Sequence, residues 1–96
     1  MSASGTRPRL RLAVLASGRG SNLQALLDAA RDPGYPAEVA LALSDKADAF
    51  ALQRARGAGA EAEWIDPAPP GLFDRIGGRI ARAGAGLVCC AGFMRI

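Results

Sequence analysis

Histidine is absent from the chain, and with it go the commonest general base, the commonest metal ligand and any Ser-His or Cys-His nucleophile pair. Lysine is confined to Lys46, and no G-x-x-x-x-G-K-[ST] triphosphate loop occurs. Cysteine is limited to the adjacent pair Cys89-Cys90. Neighbours in a strand point to opposite faces, so a disulfide between them would be strained and a shared metal would need further ligands; no metal is expected, and the pair reads as buried thiols, reduced in the cytoplasm. No stretch approaches the length of a membrane span, and behind "MSASGTRPR" the apolar run "LAVLA" is too short for a signal peptide before Ser17 and Gly18 break it. The expected location is therefore cytoplasmic, with no membrane partner. Aromatic residues make up 5% and are not interleaved with a basic block, which argues against nucleic acid.

What is present is the material of one packed domain: 96 residues, 50% hydrophobic, the apolar mass mostly Ala, Leu, Ile and Val. Twelve Arg and Lys against nine Asp and Glu leave a net charge of +3, and a small anionic ligand is the simplest partner. Residues 1–8 read as a disordered leader and 9–96 as the structured part. "LRLAVLA" (10–16) is a short apolar strand; Leu23, Leu26, Leu27 and Ala30 fall on one face of a helix, closed by "RDPGYP". The alternation continues with a strand at 39–43, a helix capped by Asp48 and carrying Phe50, Leu52 and Ala55, a shorter strand in "EAEWID", a helix marked by Leu72, Phe73, Ile76 and Ile80, and a strand at 87–92. This β-α-β-α-β-α-β order predicts an α/β fold, a Rossmann-like doubly wound parallel sheet of four strands and three helices. It is incomplete at the C-terminus, because the chain stops at Ile96 directly after the last strand. An uncovered last strand suggests a fragment, and an open edge that could support a homodimer.

"SGRGSNLQALL" (17–27) joins the first strand to the first helix. Gly18 and Gly20 allow positive φ, Ser21 and Asn22 add donors, and the helix brings unpaired N–H groups and the positive end of its dipole, which together suit a phosphate. A dinucleotide fingerprint would need a third glycine where Leu23 stands, although Asp45 sits where a ribose-binding acid would be. A plain strand-to-helix turn, capped by Ser21 or Asn22, is the remaining alternative. A single phosphate fits best. If the first and fourth strands are neighbours, "AGFMRI" (91–96) faces the same crevice, and its Phe93, Met94 and Ile96 suit a flat apolar ring.

"SGRGSNLQALLDA", "LSDKADAFALQRARGAG" and "AGFMRI", in that order and spacing, resemble the N-terminal half of the phosphoribosylglycinamide formyltransferases, folate-dependent transferases of purine biosynthesis. The resemblance spans 10–96. It implies that Gly20, Ser21 and Asn22 hold the phosphate of glycinamide ribonucleotide, that Met94, Arg95 and Ile96 begin the pocket for the pterin of 10-formyltetrahydrofolate, and that formyl passes to the substrate amine without a metal. The alternative for these three is purely structural, with Met94 and Ile96 as core residues and Arg95 as a solvated charge.

Three departures accompany it. The family's catalytic Asn, His and Asp lie beyond the segment matched here, so no catalytic residue is assigned in this chain and the 96 residues alone are expected to be inactive. Pro70 stands where the family commonly has a folate-binding Arg. Gly84 to Gly86 replace a polar turn before the fourth strand. Two other functions stay open beside formyl transfer: an inactive phosphate-binding or interaction fragment, and a Rossmann nucleotide-binding domain.

Overall fold

Seven elements alternate along the chain in the computed structural model, which describes residues 9–16 and 18–91. They are β1 (Leu10–Ala16), α1 (Ser21–Ala29), β2 (Ala37–Ser44), α2 (Phe50–Gly57), β3 (Glu61–Trp64), α3 (Leu72–Ala83) and β4 (Leu87–Ala91). All pairings are parallel and the strand order is β3-β2-β1-β4. The chain steps outward from β1 to β3, then crosses back to β4 on the other side of β1. With right-handed crossovers, that reversal puts α1 and α2 on one face of the sheet and α3 on the other. The leader read at 1–8 lies outside the described residues.

The period-two alternation of β1 builds both cores. Leu12, Val14 and Ala16 pack with Leu23 and Leu27 of α1 and with Ala51, Leu52 and Ala55 of α2. Ala13 and Leu15 point the other way, to Leu41, Leu43, Ile65, Ile76 and Ala83. A strand covered on both faces is apolar at successive positions, which is why "LRLAVLA" shows little polar alternation. The register with β2 shifts between Leu12 and Ala13, so Ala40 has no partner in the β1 ladder.

Several local expectations need correction. Gly20, in the left-handed region at φ 75°, is the N-cap of α1, and no side chain caps that helix; Ser21 and Asn22 lie inside it. Ala49, not Asp48, is the N-cap of α2. Phe50 and Phe73 are 49% and 59% exposed, because the inward face of α2 uses Ala51, Leu52 and Ala55 and that of α3 uses Leu72, Ile76, Ile80 and Ala83. Of the two free thiols only Cys89 is partly buried; Cys90, on the opposite face, is exposed.

The arginines serve largely inside the protein. Arg9 donates to the Ala30 and Asp32 carbonyls at the end of α1, at 2.9 and 2.7 Å, and Arg11 donates to the Ala83 carbonyl at the end of α3 at 2.8 Å. Each places a cation at the negative end of a helix dipole. Arg79 bridges Glu61 and Glu63, whose hydrogen bonds, Glu63's first, raise its pKa further above the ordinary arginine value.

Candidate functional site

β1 and β4 lie side by side to their last residues: Ala16 pairs with Ala91. Their carboxyl ends flank the point where the strand order reverses, the position at which open α/β sheets place a ligand crevice. From β1 the chain enters the turn 18–20 and α1; from β4 it runs toward 92–96. The expected folate-side residues Met94, Arg95 and Ile96, with Phe93, lie outside the described residues, as does Ser17.

The turn has a backbone that only glycine holds without strain. Gly18 and Gly20 sit at φ 71° and 75°. Around Gly18 there is open space, so its constraint is the backbone angle alone. Gly20 is buried, and a Cβ there would come within 2.6 Å of both Cα and Cβ of Ala51. It therefore meets two demands, left-handed backbone and contact between the starts of α1 and α2.

Helix α2 also binds the carbonyl side of the turn. The Ala51 N–H donates to the Gly18 carbonyl at 3.2 Å. Arg54 Nε donates to the Arg19 carbonyl at 2.7 Å, and its Nη1 donates to Gln24 Oε1 at 3.1 Å. The guanidinium lies 4.6 Å from the centroid of the Phe50 ring. Gln24 in turn donates through Nε2 to Asp28 Oδ1 at 2.9 Å. The Gly20 carbonyl takes the first helical bond, from the Gln24 N–H at 2.8 Å.

What remains is the amide side. The N–H groups of Ser21, Asn22 and Leu23 precede the first intrahelical bond and have no acceptor within the helix. Ser21 and Asn22 are exposed, and so is Arg19, whose side chain makes no ion pair among the described residues. Together with the positive end of the α1 dipole, this corner can accept a compact anion from several donors at once. Leu23, at the third-glycine position of a dinucleotide fingerprint, is fully buried and anchors α1 in the core.

The other sequence candidates lie elsewhere. Asp45 follows β2, where its carbonyl accepts the Trp64 indole N–H at 3.2 Å. Pro70 is exposed in the connection from β3 to α3, which Arg75 ties down through the carbonyls of Asp66 and Pro69 at 2.9 and 3.1 Å. Among the described residues no three His, Cys, Asp or Glu side chains come together as a metal site, and no helix is long and apolar enough to cross a membrane. Sequence reasoning missed the α2 residues Ala51 and Arg54. The one available signal was the small residue at Ala51 and the arginine one turn later, in "FALQRA".

Comparison with known proteins agrees with this architecture. A family model described as formyl transferase matches residues 10–96. The trifunctional purine biosynthetic protein adenosine-3 of Drosophila melanogaster is 45% identical over 94 residues, covering 92% of this chain and 7% of that protein. The phosphoribosylglycinamide formyltransferase of Haemophilus influenzae is 34% identical over 98 residues, covering 90% of this chain and 42% of its own. Among solved structures, glycinamide ribonucleotide transformylase 1 from Symbiobacterium toebii superimposes with a TM-score of 0.84 at 41% identity, over 97% of this chain and 49% of that one. The chain thus spans less than half the length of these relatives.

Proposed function

The chain belongs to the formyl transferase family, and from that premise we propose that it serves formyl transfer from 10-formyltetrahydrofolate to the amine of glycinamide ribonucleotide in purine biosynthesis. In this reaction the amine nitrogen bonds to the formyl carbon, the bond from that carbon to the folate nitrogen breaks, and the amine's proton is passed on to that nitrogen. Gly20, Ser21 and Asn22 hold the ribonucleotide phosphate, and Met94, Arg95 and Ile96 begin the wall against the pterin. The protein works in the cytoplasm, without a metal.

The observation that carries this is the corner between β1 and α1: carbonyls turned to α2, first-turn amides with no acceptor among the described residues, and Ser21 and Asn22 exposed at the strand-order reversal. Titration calorimetry with glycinamide ribonucleotide and with its dephosphorylated riboside tests it. Asn22→Ala is expected to weaken ribonucleotide binding by about tenfold, the scale of one hydrogen bond to a charged group, and to leave riboside binding unchanged. Equal ribonucleotide affinities for wild type and variant would count against the site.

A further inference from the structure

We propose that Arg54 is a positioning residue of the phosphate corner: by holding the Arg19 carbonyl it aims the Gly20 amide at the anion. The proposal rests on the phosphate role given above to the β1–α1 turn. In a trans peptide unit the C=O of one residue and the N–H of the next point in opposite directions, and no described peptide bond is cis. Fixing a carbonyl therefore fixes the direction of the amide that follows it. The Ala51 N–H holds the Gly18 carbonyl, which turns the Arg19 N–H away from α2. Arg54 Nε holds the Arg19 carbonyl at 2.7 Å, which turns the Gly20 N–H the same way. The Gln24 N–H holds the Gly20 carbonyl at 2.8 Å, which leaves the Ser21 N–H pointing out of the helix end. Two successive amides thus face away from α2 and the third points out of the start of α1, an arrangement suited to an anion.

Of these three carbonyl locks, Arg54 supplies the one made by a side chain. Its position is fixed in turn by Gln24, which accepts from Nη1 at 3.1 Å, and by the Phe50 ring beneath it at 4.6 Å. Phe50 is 49% exposed, which a core role would not require and a platform for a guanidinium explains. A lysine would keep the charge and lose the planar fork that reaches both the carbonyl and the amide oxygen.

The test is a cycle of variant against phosphate, measured by calorimetry on the protein with glycinamide ribonucleotide and its riboside. Arg54→Met and Arg54→Lys are both expected to weaken the ribonucleotide by about tenfold and the riboside by less than about twofold, since the lost alignment acts on a charge-assisted bond. If Arg54→Met loses affinity for both ligands equally, Arg54 is a general structural residue and the proposal falls. If Arg54→Lys binds like wild type, charge and not geometry matters, and it falls as well. Should Arg54→Met fail to fold, Phe50→Leu removes only the platform, and a phosphate-specific loss of about threefold is expected, with none overturning the proposal. Wild type that binds ribonucleotide and riboside alike would overturn the phosphate role itself, an outcome distinct from wild type that discriminates and Arg54 variants that discriminate equally well.

Discussion

At the scale of single residues, Gly20 is the most constrained of the described glycines. An alanine there meets a left-handed backbone and, at once, the main chain and side chain of Ala51 at 2.6 Å, so rotating a flexible neighbour cannot relieve it. The backbone term alone costs about 1–2 kcal/mol, and separating α1 from α2 adds to it. Gly20→Ala is therefore expected to lower the unfolding midpoint by roughly 10 °C in a domain of this size, read by circular dichroism, and to abolish phosphate-dependent binding. Gly18→Ala, with open space around it, pays only the backbone term and is expected to fall by about half as much. Equal melting points for the two variants would show that the contact with Ala51 carries no weight.

At the scale of elements, the sequence made the alternation plain because β1, β2 and β4 are short, mostly apolar runs and each helix carries a 3.6-residue stripe; β3, Glu61–Trp64, is the polar exception. The bounds of β1 were legible to the residue. The caps were not: Ser21 and Asp48 have the right chemistry for an N-cap, but at the start of α1 the left-handed backbone of Gly20 takes that place. The roles of Phe50 and Arg54 were hidden for a different reason. Arg54 reaches a backbone carbonyl and a side chain 35 and 30 residues away, and neither periodicity nor composition encodes such contacts or the platform role that Phe50 takes beneath it. The same holds for Arg9 and Arg11, whose guanidinium groups donate to carbonyls at the ends of distant helices. β4 forms one edge of the described sheet, with Leu87 and Val88 48% and 43% exposed. For a preparation of residues 1–96 alone, an apolar parallel edge of this kind is expected to pair with a second copy. Sedimentation velocity should then give a dimer that Val88→Lys converts to monomer; a monomeric wild type would rule out edge pairing.

At the scale of the whole molecule, the described residues divide the proposed reaction into a part they can support and a part they cannot. Holding a phosphate requires oriented amides, which β1, α1 and α2 provide through packing and main-chain bonds. Moving a proton from the attacking amine calls for a group poised near neutrality, and the 96 residues contain no histidine. The expected behaviour of residues 1–96 in isolation is consequently asymmetric. They should bind glycinamide ribonucleotide more tightly than its riboside, yet give no formyl transfer above the uncatalysed rate when 10-formyltetrahydrofolate is supplied, followed by the absorbance change of the released folate. Binding without turnover would fit a half-site whose remaining chemistry comes from elsewhere in the protein. Measurable turnover would overturn this division.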